Sequence, residues 1–213
     1  MNQQTTIYFD FLGLHLQEPM AILWNGLIAL ASIFFYIKTR KLESIKTYYF
    51  PRFFLWMTVS TILGLFGHLF FGYFSFYGKF PSWLFIVITS YYFALSILQI
   101  NKINISKWKN ILLIKGGVLL MLSYIFSTFN FVAIDSIFSY VILGTYLGVK
   151  LKREIQNYHL LVGTILIFPT LFIFGLKIQI NPYFNKDDFS HLFILISLFF
   201  YYFCTTKKVN YDI

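Results

Sequence analysis

The 213-residue chain has a single cysteine and few charged residues. Because Cys204 stands alone, the chain can form no intrachain disulfide and no thiolate cluster for zinc. Charged residues make up 12% of the sequence and hydrophobic residues 58%, whereas about a quarter of the residues in ordinary soluble domains are charged. This scarcity of charge excludes a soluble globular domain and indicates a polytopic membrane protein.

Strict alternation of apolar and polar residues, which transmembrane β-strands require, is also missing. The apolar residues form continuous runs instead, each long enough for a membrane-spanning helix. The sequence therefore predicts an all-α polytopic membrane protein, with one domain over residues 1–213 and seven transmembrane helices. The predicted spans are residues 19–37, 53–74, 82–101, 111–127, 131–149, 157–176 and 189–206.

Acidic residues are slightly less than half as frequent as basic ones, 8 against 17, which gives a net charge of +9. In a membrane protein such an excess is typical of cytoplasmic loops, so we predict no nucleic-acid partner. Counting Lys115 near the start of span four, 14 of the 17 basic residues fall on one side of the bundle. The positive-inside rule then places the N-terminus outside and the C-terminus in the cytoplasm of a multi-pass plasma-membrane protein surrounded by lipid. The sequence leaves the oligomeric state open.

Two acids and a histidine stand at the entry to the last span. On a helix, Asp187 and His191 are an i,i+4 pair and Asp188 and His191 an i,i+3 pair, so all three can face the same side. Ionisable groups at this depth are costly unless they are paired, metal-bound or facing a wet cavity. Alternatively, one of Asp187 and Asp188 could cap the helix, since acids are favoured at a helix N-terminus.

Other polar residues share this outer layer once the orientation is assigned. His68 lies in the outer half of span two, and Glu18 opens span one, with Asn25 two turns further along. His68 could be a metal ligand or a hydrogen-bonded core histidine. The small residues Gly64 and Gly67 beside it could permit close helix packing or leave room for a ligand.

These residue types suit a zinc ion, which accepts imidazole nitrogen and carboxylate oxygen. His68, His191 and one of Asp187 or Asp188 would supply three protein ligands and leave a position for water, as in catalytic zinc sites. Glu18, with Asn25 nearby, would orient these ligands or help to hold a second ion. In the alternative without a metal, the same polar groups hydrogen-bond the helices to one another. No single residue is predicted to be catalytic.

The pattern resembles the CREST-like superfamily of seven-helix membrane hydrolases, which contains the alkaline ceramidases and the progestin and adiponectin receptors. The resemblance rests on three segments: Glu18-Pro19 with Asn25, Gly64 to His68, and Asp187 to His191. The chain looks most similar to uncharacterised bacterial members. Asp187 stands four residues before His191, where the family's helix seven carries a second histidine.

The resemblance implies a zinc-dependent hydrolase acting on an amide or ester bond of a lipid. A non-catalytic seven-helix transporter or ligand-sensing protein is the alternative, in which the same residues would bind an ion or solute at a helix interface.

Overall fold

Seven helices follow a short hairpin in the computed structural model, which describes residues 7–42, 48–155, 157–176, 178 and 185–206. The fifth helix combines an α-helical start, a π-helical segment (Ile137–Leu143) and an α-helical end, and we treat residues 130–155 as one element, α5. The all-α fold with seven helices is thus confirmed for the part of the chain described. The helices are α1 Met20–Thr39, α2 Phe50–Leu69, α3 Phe71–Ile100, α4 Ile105–Ile125, α5 130–155, α6 His159–Leu176 and α7 Lys186–Thr206.

Six of these helices are long and apolar enough to cross a membrane, a span that takes about 20 residues. The exception is α6, whose apolar stretch His159–Ile173 is shorter. Length and composition therefore agree with the predicted helical membrane protein.

A two-stranded hairpin, which the sequence did not predict, precedes α1. Strand β1 (Tyr8–Phe11) pairs antiparallel with β2 (Leu14–Gln17), and Tyr8 lies opposite Gln17. Leu12 and Gly13 form the turn with φ of 52° and 78°, the positive values that a type I′ turn requires at both positions. Since Leu rarely adopts positive φ, the sequence carries no ordinary hairpin signal here. The hairpin ends directly before Glu18.

The chain reverses direction between α2 and α3 close to the predicted end of span two. We expected span two to reach residue 74 and span three to begin at 82. Helix α2 ends at Leu69 and α3 begins at Phe71, but helical hydrogen bonds continue to Phe74, and within α3 the backbone is non-helical only at Ser75. The helical geometry of α3 is interrupted at Ser75, where φ is 49° and ψ is −136°. Lys79, expected in a loop, consequently lies on α3 and faces the end of α2.

Two glycines allow α2 and α3 to approach this closely. A Cβ atom on Gly67 would lie only 2.7 Å from the carbonyl oxygen of Gly78 and 3.0 Å from the Cα atom of Lys79. Both neighbours are backbone atoms, so a larger residue would push the helices apart. Of the two roles considered for Gly67, the structure supports close helix packing.

Four aromatic residues join α2, α3, α5 and α7 in the centre of the bundle. The ring of Phe93 lies 5.3 Å from Phe53, 4.6 Å from Tyr140 and 4.7 Å from Tyr201, measured between centroids. All four side chains are buried. This packing fixes α2 relative to α7, the two helices that carry His68 and Asp187.

Lys115 does not belong to the cytoplasmic end of α4, where the sequence analysis counted it. It lies halfway along α4, and its Nζ atom is 2.7 Å from Oδ1 of Asp135 on α5. The contact balances the charge of Lys115 inside the bundle, so Lys115 has no need to reach the membrane surface. Without it, 13 of the 17 basic residues remain on the predicted cytoplasmic side, and the predicted orientation does not depend on it.

Candidate metal centre

Three side chains with metal-binding groups meet at one end of the bundle. Each of Glu18, His68 and Asp187 offers one ligand atom, and these atoms all lie within 4.8 Å of one another. Glu18 precedes α1, His68 is near the end of α2, and Asp187 is in the first turn of α7. All three are partly buried, and among the described residues they form a possible three-residue metal-binding group.

The backbone around Glu18 holds its carboxylate in position. Glu18 has a φ of 56°, a left-handed conformation that costs a residue with a Cβ atom about 1–2 kcal/mol. Two hydrogen bonds support it: the Glu18 N–H donates to the carbonyl of Ile7, and the Ala21 N–H donates to the carbonyl of Glu18, both at 2.9 Å. The base of the hairpin and the first turn of α1 thus clamp Glu18 from both sides. Strain of this kind is typical of functional sites.

Glu18 and His68 contact each other directly. Oε2 of Glu18 is hydrogen-bonded to Nδ1 of His68, and the two side chains are 18% and 16% exposed. Burial by itself would raise the pKa of Glu18. The hydrogen bond from His68 and the electrostatic interactions with His68, Lys79 and Lys186 outweigh that effect, so the pKa of Glu18 is lowered. The carboxylate is therefore ionised near neutral pH, the form that binds metals.

Lys79 also belongs to this site, although nothing in the sequence indicates it. Its Nζ atom lies 3.3 Å from Nδ1 of His68 and 4.6 Å from the ring centroid of Phe71. The ammonium group partly balances the two carboxylates of the group. Hydropathy assigned Lys79 to a loop, and only the close packing of α2 on α3 brings it to His68.

The hydrogen bonds at the start of α7 show that its two acids, Asp187 and Asp188, have different roles. The Asn185 side chain accepts hydrogen bonds from the N–H groups of Asp187 (2.7 Å) and Asp188 (3.2 Å). In return, Oδ2 of Asp188 accepts the N–H of Asn185 at 2.9 Å. This reciprocal arrangement is a capping box, with Asn185 as the N-cap. Of the two acids considered as caps, Asp188 therefore contributes to capping, and Asp187 turns toward Glu18 and His68.

His191 lies beside the three-residue group but is not part of it. It is close enough to interact electrostatically with His68, Asp187 and Glu18. Its Nδ1 atom is 2.5 Å from the carbonyl oxygen of Asp187, one turn earlier in α7. Because a carbonyl only accepts, Nδ1 carries a proton, and whenever the ring is neutral Nε2 is the unprotonated nitrogen. From the sequence we expected His68 and His191 to be ligands together, whereas in the structure Glu18 completes the group.

Asn25 also lies next to the group rather than in it. Its Nδ2 atom donates to the carbonyl of Ala21 at 3.1 Å, and its Oδ1 atom faces Gly64, one turn before His68. A Cβ on Gly64 would lie 3.4 Å from that oxygen, an ordinary van der Waals distance, so the amide packs against α2 at this glycine. The Asn25 side chain thus lies where α1 contacts α2, about one helical turn before His68.

The donor set suits a divalent metal such as zinc. One imidazole nitrogen and two carboxylate oxygens are accepted zinc ligands, and tetrahedral zinc with bonds near 2.0–2.1 Å separates its ligands by about 3.4 Å. The ligand atoms here span up to 4.8 Å, so small side-chain rotations would bring them to that spacing. Binding would also replace the direct contact between Glu18 and His68.

One family model matches most of the chain. It is that of DUF6962, described as a family of unknown function, and it covers residues 20–209. The match includes His68 and Asp187 and begins two residues after Glu18. No curated protein and no solved structure matches the chain. Since the model covers well over half of its length, the chain belongs to the DUF6962 family of unknown function.

Proposed function

We propose that this protein is a zinc-dependent membrane hydrolase that cleaves an amide or ester bond of a lipid. The observation that carries the proposal is the convergence of Glu18, His68 and Asp187 within 4.8 Å. These residues are separated by long stretches of sequence, and polar groups are expensive at helix ends inside a largely apolar bundle. Because bringing these groups together costs free energy, we expect them to bind a ligand.

The number of ligands favours catalysis over a purely structural metal. Structural zinc sites usually have four protein ligands, whereas catalytic sites have three and keep one position for water. Zinc held by these three residues would acidify a bound water and polarise a substrate carbonyl.

The remaining chemistry falls to groups beside the ligands. Nε2 of His191 is a free base when Nδ1 is bonded to the Asp187 carbonyl, so it would accept a proton from the attacking water. The same nitrogen would then return the proton to the departing amine or alcohol. Lys79, next to His68, would attract an anionic headgroup or stabilise negative charge on the carbonyl oxygen.

The predicted orientation and the family resemblance suggest a lipid substrate. With the N-terminus outside, the group would lie at the outer membrane surface, at the depth of lipid headgroups and acyl linkages. The resemblance to alkaline ceramidases and related seven-helix hydrolases points to the same bond class.

A transporter or ion sensor is the second candidate, and the buried Lys115–Asp135 pair between two candidate spans favours it. Ionisable residues inside membrane spans often mark ion or proton pathways. On this hypothesis Glu18, His68 and Asp187 bind an ion and release it, with no bond broken.

Metal titration of the purified protein in lipid nanodiscs tests metal binding, which both candidate functions require. We expect about one zinc ion per chain, with binding weakened in Glu18→Gln, His68→Ala and Asp187→Asn. Asp10→Asn, an exposed hairpin acid, is the matched control and should bind normally. Lys79→Gln should bind at least about tenfold more tightly, because a charge about 5 Å from a divalent ion costs about 1.7 kcal/mol even in a water-like dielectric.

Activity assays then separate the two candidates. Zinc-loaded protein should hydrolyse one class in a panel of N-acyl and O-acyl lipids, and His191→Ala should retain zinc but lose activity. Zinc binding without hydrolysis, together with ion flux in proteoliposomes, would replace the hydrolase with the transporter. Absence of zinc binding by folded wild-type protein would refute both.

A further inference from the structure

A second ionisable site lies between α4 and α5, far along the chain from the metal-binding group. Nζ of Lys115 is 2.7 Å from Oδ1 of Asp135, and the two side chains are 20% and 2% exposed. Lys115 is the eleventh of 21 residues in α4, and both helices are candidate membrane spans. Charges at that depth are rare and usually functional.

Lys115 has further interaction partners besides Asp135, whereas one carboxylate oxygen of Asp135 has none within the described residues. The Lys115 ammonium also donates to the hydroxyl of Ser139 at 3.2 Å and to the backbone carbonyl of Asp135 at 3.3 Å. It lies 4.5 Å from the ring centroid of Phe138 as well. By contrast, Oδ2 of Asp135 is buried and has no hydrogen-bond partner within the described part of the chain. A buried carboxylate oxygen without a partner is costly.

Polar groups from three helices face the Asp135 carboxylate. Lys115 comes from α4, Ser90 from α3, and Tyr140 from the next turn of α5. The hydroxyls of Ser90 and Ser136 are 3.4 Å apart. The Ser90 hydroxyl also interacts with the Asp135 carboxylate, so it lies close enough to accept a hydrogen bond from a proton on Oδ2.

Two backbone features accommodate this site. A Cβ on Gly116 would lie 2.8 Å from Cγ1 of Val87 and 3.7 Å from Oδ1 of Asp135, so glycine lets α4 pass close to α3 beside the carboxylate. The π-helical segment Ile137–Leu143 begins two residues after Asp135. Such segments are rare and occur frequently at functional sites.

We propose that Asp135 and Lys115 form an interior proton-binding site, in which Oδ2 of Asp135 takes up and releases one proton. Uptake forms an O–H bond at Oδ2 and breaks one O–H bond of a solvent hydronium ion, which becomes water; the carboxylate is neutralised and no other bond changes. The ammonium of Lys115 then keeps Ser139 and the Asp135 carbonyl as partners, because neither contact depends on the carboxylate charge.

A proton fits this site better than a metal ion. The described residues offer one carboxylate here, and the resident ammonium of Lys115 would repel a second cation. A proton needs one free oxygen and one nearby acceptor, which are Oδ2 of Asp135 and the hydroxyl of Ser90. The inference is independent of the proposed hydrolase.

Infrared spectroscopy of the full-length protein in nanodiscs tests the proposal. With the aspartate side chains labelled at the carboxyl carbon, a carboxylic-acid band should appear and disappear reversibly as the pH is cycled between about 4 and 8, a range in which an ordinary aspartate is largely ionised. The band should disappear in Asp135→Asn and persist in the control Asp10→Asn. A pH jump monitored with an indicator dye should release one proton fewer per chain from Asp135→Asn than from wild type.

The double variant Lys115→Met/Asp135→Asn removes both charges and covers the case in which Asp135→Asn alone fails to fold. It too should lack the band and the proton. If Asp135 stays ionised down to about pH 4, the pair is a fixed ion pair and the proposal is wrong. A carboxyl that stays protonated over the whole range would overturn it equally.

Discussion

Replacing Gly67 with alanine should destabilise the protein and disturb the metal-binding group together. The added Cβ would meet the carbonyl oxygen of Gly78 at 2.7 Å and the Cα of Lys79 at 3.0 Å. Neither atom can rotate away, so α2 and α3 must separate by several tenths of an ångström. Overpacking of this kind typically costs about 1–3 kcal/mol.

Gly64→Ala is the matched control, one turn earlier on the same helix. Its Cβ would meet Oδ1 of Asn25 at 3.4 Å, an ordinary contact with a side chain. Both variants gain about 1 kcal/mol from the better helix propensity of alanine. That gain cancels in the comparison, so Gly67→Ala should be about 1–3 kcal/mol less stable than Gly64→Ala.

Unfolding with sodium dodecyl sulfate in mixed micelles would measure this difference in the free energy of unfolding. Zinc affinity provides a second readout, because His68 follows Gly67 and Lys79 follows Gly78 in the chain. Gly67→Ala should bind zinc more weakly than wild type, and Gly64→Ala should not. Equal stability of the two variants would refute the close contact between Gly67 and Gly78 on which the site geometry depends.

Two further predictions concern Glu18 and the hairpin. The pKa of Glu18 is lowered in the folded protein, so its contact with His68 stabilises the fold fully above the ordinary value of 4.5 and is lost as the pH falls through the lower folded value. The free energy of unfolding should accordingly fall more steeply on acidification below pH 4.5 in wild type than in Glu18→Gln, and parallel curves would contradict the ion pair. Leu12 is 87% exposed with a φ of 52°, and because asparagine tolerates this conformation, Leu12→Asn should stabilise the hairpin by about 1 kcal/mol. Slower amide hydrogen exchange in β1 and β2 would show this, with Leu12→Ala as control, whereas faster exchange in Leu12→Asn would exclude a strained turn.

Hydropathy by itself determined the fold class and the approximate positions of the helices. A helix in lipid must satisfy its backbone internally and expose apolar side chains, so each span leaves a continuous apolar run in the sequence. The same reasoning singled out Glu18, His68 and Asp187, since ionisable residues stand out against an apolar background. The orientation across the membrane also follows from loop charges alone and remains a prediction.

The partners of those residues were decided only by the tertiary structure. These helices are apolar on all sides, so the sequence does not reveal which face of each helix points inward. The contact of Gly67 with Gly78 brings Lys79 to His68, and the left-handed backbone of Glu18 directs its carboxylate into the same group. Both depend on residues that are close in space but carry no periodic signal.

The same limit explains the roles of the remaining polar residues. Asp187 and Asp188 are equivalent in sequence, and only the hydrogen bonds of Asn185 show which of them belongs to the helix cap. From the sequence, Lys115 counts as one more basic residue on the cytoplasmic side, whereas in the structure its Nζ atom lies 2.7 Å from Oδ1 of Asp135. The sequence shows that a charged residue is present. Which group it pairs with depends on how two helices are rotated and packed in the folded bundle.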